Sequence, residues 1–216
     1  MSFFKSLFAK KQAAPTRTLN HVTELQLQDL FSFSDSFALP QAMRKMQLQV
    51  TDINTIEFKH EHYAQIVAQG SGNQLVYLSF PNNPQKLVKL SLLLPRSDVE
   101  ALFNMDDFSE IFEQPGNAHL TPLTNNLNYA DMLADKYIQQ DFMTSGYFHR
   151  QDYRNATPPQ FNEDKHGQEF EYYSLQGNQE KRFVEIFIFE NGDTDVYLSF
   201  FRPTNEIAEL WAKDGQ

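Results

Sequence analysis

Cysteine is missing from this chain of 216 residues. That excludes disulfides, a thiol nucleophile and a zinc–thiolate centre, and it suits a reducing compartment such as the cytoplasm. The familiar catalytic signatures are missing too: there is no glycine-rich phosphate loop, no G-x-S-x-G elbow and no HExxH or HxxEH pair. Only eight glycines occur, none clustered as a nucleotide fold would require. Positive charge is scarce. Lys and Arg total 18 against 28 Asp and Glu, and the net charge of −10 argues against nucleic acid, which needs a clustered basic face.

Aromatics are plentiful, with 20 Phe and nine Tyr, and such residues suit a half-buried pleated surface. The chain is long enough for one large domain or two small ones. Charge is unevenly spread. Lys5, Lys10, Lys11 and Arg17 precede the first acid, Glu24, which leaves −14 on the rest.

The opening "MSFFKSLFAKK" is interrupted by Lys5 and too short for a signal-peptide core or a membrane span. On a helix, Phe3, Phe4, Leu7 and Phe8 share one face, flanked by Lys5, Lys10 and Lys11. Such a peptide can rest reversibly on an anionic membrane or dock on a partner; an ordinary tail is the plainer reading and is preferred. "QAAPTRT" then reads as a linker, so 1–20 is a leader, 21–115 a first unit and 116–216 a second.

The pentapeptide VYLSF occurs twice, at 76–80 and 196–200. An offset of 120 aligns the two copies as hairpins. An offset of 108 aligns Leu87–Phe103 with Asp195–Trp211, matching Val88, Leu90, Ser91, Pro95 and Leu102 with Val196, Leu198, Ser199, Pro203 and Leu210. The second register keeps strand, proline and helix start in step and is preferred. Both offsets are even, so each keeps strand side chains on one face, and convergence of similar meanders explains as much.

Strands are expected near 47–52, 63–69, 75–80 and 86–94, then near 169–175, 182–190 and 194–201. Ser97 and Glu100 form a capping box. The apolar clusters Val99/Leu102/Phe103 and Phe108/Ile111/Phe112 are half a turn out of phase, so a break is expected at Asn104–Asp107. A third helix is expected over 129–141. The fold class expected is α+β: two pseudo-repeated antiparallel β-meander units, each followed by a helix, with additional helices between them at 97–142.

"GYFHRQDYR" at 146–154 is the densest chemical cluster. Its arginines suit a carboxylate or phosphate, with Asp152 orienting His149, so His149, Arg150, Asp152 and Arg154 are the candidate ligand set. A solvated segment pinned by its aromatics is the plainer alternative. His60 and His62 share a strand face but lack a third metal ligand, so no metal and no cofactor are expected.

The basic-aromatic leader, "LFSFSDSFALP" and "GYFHRQDYR" together resemble the YjfK-like bacterial proteins, a family of unknown function often encoded near membrane-stress and small membrane proteins. The resemblance implies a bacterial cytosolic accessory protein and carries over no catalytic residue. The function expected is a non-enzymatic accessory or scaffold protein that binds a protein partner in the cytoplasm; the less favoured reading of the leader adds weak peripheral contact at the inner membrane. The alternative is an anionic-ligand-binding protein or enzyme built on the 149–154 cluster.

Overall fold

Eight strands close on themselves. In the computed structural model, which describes residues 17–80, 86–123, 129–159, 167–179 and 181–213, the strands are β1 (Leu30–Phe33), β2 (Gln47–Phe58), β3 (His62–Gln69), β4 (Leu75–Ser79), β5 (Leu87–Leu93), β6 (His119–Leu120), β7 (Tyr137–His149), β8 (Gln168–Gly177), β9 (Arg182–Phe189), β10 (Thr194–Pro203) and β11 (Ile207–Trp211). The hydrogen-bonded order is β11-β1-β2-β3-β4-β5-β10-β9-β8-β7-β6, and β2 also pairs with β7. Thr55–Phe58 lie antiparallel to Gly146–His149 and seal an eight-stranded antiparallel barrel.

Closure needs strands that can change neighbours along one edge. On that edge β2 pairs with β1 through Gln47–Gln49, then with β7 through Thr55–Phe58. β7 meets β6 at Tyr137 and Ile138 before reaching the same seam. Register shifts at Val50/Asp52 in β2, and at Gln139/Asp141 and Asp141/Thr144 in β7, mark bulges that bend both strands. At the seam Gly146 lets the walls approach: a Cβ there would lie 2.7 Å from the Glu57 carbonyl oxygen and collide with the Phe170 ring.

The apolar core lies largely outside this wall. Ile66, Leu78, Leu90 and Phe200 face outward into a layer formed by the segment before β2, with Val22, Leu25, Phe31, Phe33, Leu39 and Met43. Leu175, Val184, Ile186 and Leu198 face a second layer, built from α1 (Arg96–Leu102), α2 (Met105–Ser109) and the chain that follows, with Leu102, Phe103, Phe108 and Ile111. Strand residues pointing the other way fill the lumen, so burial is nearly continuous along β3 and β5.

The α+β class expected from the sequence is therefore corrected: the structure is mostly β, and among the described residues its helices are two short ones plus single 3-10 turns. The helix expected after β10 is a 3-10 turn at Thr204–Glu206 followed by β11. Helical spacing of Ile207, Leu210 and Trp211 loses to tertiary pairing, because β1 takes β11 as its partner, with Phe33 opposite Ile207 and Phe31 opposite Leu210. Leu87–Phe103 runs strand to helix whereas Asp195–Trp211 runs strand to strand, so the internal repeat fails the superposition that defined it.

The helix expected over 129–141 is also absent. One turn forms, with the Met132 and Leu133 amides donating to the Tyr129 carbonyl. The Ala134 amide then donates to the Tyr137 hydroxyl at 2.9 Å, and the chain enters β7 with Tyr137 and Gln139 buried and Ile138 and Gln140 exposed. The break between the two short helices is present. Phe103 is extended, and Asn104 caps α2 by accepting from the amides of Asp106 and Asp107. Ser97 does not cap α1; Pro95 holds that position, and Glu100 pairs with Arg96 at 2.8 Å. Among the described residues no helix is long and apolar enough to cross a membrane. The leader residues Phe3, Phe4, Lys5, Leu7, Phe8, Lys10 and Lys11 lie outside the described residues.

Candidate ligand-binding site

The lumen is open at both ends and divided by an aromatic layer. At the end near the start of β3, a cavity of about 590 Å³ is lined by Phe58, Tyr63, Tyr172, Phe183 and Phe201, with Lys89 and Glu185 at its floor. Lys89 on β5 and Glu185 on β9 are two strands apart, with β10 between them. The small side chain at Ser199 on β10 leaves space for the longer ones to meet. Lys89 Nζ stands 2.6 Å from Glu185 Oε1, and both side chains are over nine-tenths buried.

Surrounding groups complete the pair. The Tyr172 hydroxyl donates to Glu185 Oε1 at 2.7 Å. Ser199 also bonds the carboxylate, and its hydroxyl lies 2.7 Å from that of Ser91. The Tyr63 ring sits under the ammonium, 5.4 Å from Nζ to centroid. Burial alone would lower the Lys89 pKa, but the Glu185 carboxylate and Tyr63 more than offset it and hold the ammonium above its usual range. Burial likewise pushes Glu185 upward; Lys89 and the donated hydrogen bonds win, and it is held below the usual carboxylate range. Burial pushes the Tyr63 hydroxyl up to about 12 and Tyr172 well above its ordinary value. The pair is thus ionised, mutually neutralised and edged by neutral phenols.

Such a floor offers hydrogen bonds without net charge, beneath aromatic walls. Ser174, whose hydroxyl bonds Asp141, adds a polar group on the same rim. The arrangement suits a small amphipathic molecule with an uncharged polar head.

The sequence-derived cluster is dispersed. His149, the last residue of β7, is 2% exposed and lies on the outer face of the seam, with Nε2 2.8 Å from Glu57 Oε2 and its ring edge-on to Tyr153 at 5.4 Å. Glu57, not Asp152, is therefore its carboxylate neighbour. Asp152 forms a two-oxygen ion pair with Arg154, which holds its carboxyl below the usual range even though burial opposes this. Arg154 Nη1 donates to the carbonyls of Thr23 and Leu25, both at 2.8 Å, and so fastens the segment before β1. Arg150 alone of the four reaches a lumen opening, the one opposite Lys89.

His60 lines the rim of the Lys89 cavity, yet no group of three or more His, Asp or Glu among the described residues is placed to hold a metal ion. The residues that do converge, Lys89 and Glu185, went unread in the sequence. Each is a charge in the middle of an apolar strand, "LVKLSLL" and "RFVEIFIF", and that position was their available signal. Compared with protein-family models, curated proteins and solved structures, the chain matches none of them.

Proposed function

We propose that this is a non-enzymatic, small-molecule-binding barrel of the cytoplasm that takes its ligand at the Lys89–Glu185 end of the lumen. One observation carries the reading: an open cavity of about 590 Å³ whose aromatic walls descend to a buried ion pair. Cavities of this size hold molecules of metabolite or drug dimensions. The ligand class is neutral and amphipathic, because Lys89 is already neutralised by Glu185 while its remaining hydrogen-bonding capacity faces the cavity.

The accessory, partner-binding role expected from the sequence would need aromatic sheet faces free to serve as docking surfaces. Those faces are turned into the lumen and its covering layers, so ligand binding comes first and any partner would read the liganded state.

The test is titration with an uncharged amphipathic fluorophore, N-phenyl-1-naphthylamine. Saturable binding is expected, abolished by Thr144→Trp, which places an indole at the cavity rim, and retained in Asp195→Asn at the other end. Undiminished binding in a folded Thr144→Trp protein overturns the assignment.

A further inference from the structure

The opposite end of the lumen is chemically distinct. A cavity of about 370 Å³ is walled by Phe148, Phe187, Phe189, Tyr77 and Tyr197. Aromatic faces present negative charge from their quadrupoles, and several around one space make a box suited to a cation that sheds its water readily. Charge at the mouth has the same preference. Asp52, Asp193 and Asp195 line the opening against the single cation Arg150.

A third observation is independent of both. Gln65 on β3 is 6% exposed and lines this cavity, so its side-chain amide meets whatever the cavity holds. A polar side chain set among aromatic walls needs a hydrogen-bond partner, and a bound molecule can supply one. Its carbonyl and NH₂ supply an acceptor and donors for a ligand hydroxyl or N–H.

We propose that this end is a second binding site, for a small organic ammonium ion carrying a hydrogen-bonding group: the cationic head in the aromatic box, the carboxylates balancing its charge, and Gln65 bonding the polar substituent. The Tyr197 hydroxyl donates to Asp195 Oδ2 at 3.2 Å, which joins one wall of the box to one of its carboxylates. The site shares no lining residue with the Lys89 cavity, so the two proposals stand or fall separately.

Calorimetric titration of the full chain with choline, and with its uncharged isostere 3,3-dimethylbutan-1-ol, tests the proposal. Choline should bind at least about tenfold more tightly than the isostere, as a desolvated cation–π site requires. Asp195→Asn and Gln65→Leu should each weaken choline several-fold, and the exposed Asp52→Asn provides the same test of charge if Asp195→Asn fails to fold. Arg150→Ala should tighten choline, because the arginine repels it. Equal affinity for choline and isostere, no binding of either, or weaker choline binding in Arg150→Ala would overturn the assignment.

Discussion

The ring of Tyr77 stands edge-on to the ring of Tyr197, with centroids 5.1 Å apart. Tyr197 also meets Phe187 at 5.8 Å, and Phe187 meets Phe170 and Tyr172 at 5.0 Å each. These rings separate the two cavities, since Phe187 and Tyr197 line one and Tyr172 lines the other. Tyr197→Ala should remove that partition. Truncating a buried aromatic costs about 3–5 kcal/mol, and chemical denaturation should show a loss of that size. A loss below about 1 kcal/mol would mean that the rings are not packed as a septum.

Removing either member of the Lys89–Glu185 pair leaves the other charge buried. Lys89→Met or Glu185→Leu alone should cost about 3–5 kcal/mol, whereas the double variant should lie close to the parent, because the desolvation penalty disappears with the charges. Stability of the three variants forms a double-mutant cycle. Additive losses would show that the two groups do not interact.

The same pair sets how stability depends on pH. Glu185 is held below its unfolded value, so its contribution is present above the ordinary carboxylate range and is lost as pH falls toward the lower folded value. Lys89 and Tyr63 are both raised, so theirs is present below the unfolded values and lost as pH rises; for Tyr63 that window runs from 10.0 to about 12. Denaturation midpoints should be flat between about pH 6 and 9 and fall on both sides. In Glu185→Gln the acid limb should flatten. Tyrosinate absorbance should show Tyr63 ionising only as the protein unfolds.

The two VYLSF copies show how far the sequence could be read. In both, Val, Leu and Phe face a covering layer while Tyr and Ser face the lumen: Val76, Leu78 and Phe80 in one, Val196, Leu198 and Phe200 in the other. The shared pattern is a requirement of a wall buried on both faces. Strand positions were legible because β-branched and aromatic residues mark them locally. The closing strand was hidden, because residues 129–141 carry helical spacing and only pairing with β8 decides against it. Ile207–Trp211 misled for the same reason, since its partner β1 is about 180 residues away in sequence. The site was obscured by a different rule. Dense polar clusters attract attention, yet His149, Asp152 and Arg154 proved to be fasteners, while the lumen is furnished by isolated polar residues spaced along apolar strands.

Barrel closure depends on how closely β2 and β7 approach at Gly146. Two obstacles meet a Cβ there, and they differ in kind: the Phe170 ring and the Glu57 carbonyl oxygen at 2.7 Å. The ring is itself fully buried among Phe58, Phe187 and Phe189 and can be shortened by substitution, whereas a backbone oxygen in a paired strand moves only with its strand. Gly146→Ala should therefore loosen the seam at a cost of about 1–3 kcal/mol, in the range of overpacked cores. Hydrogen exchange should report where: amides at Thr55–Phe58 and 146–149 should lose protection before those of the β9–β10 ladder. Adding Phe170→Leu relieves the ring and not the carbonyl, so it should restore little of the loss. Full recovery in that double variant would assign the strain to the ring and leave the seam unaffected by the methyl group.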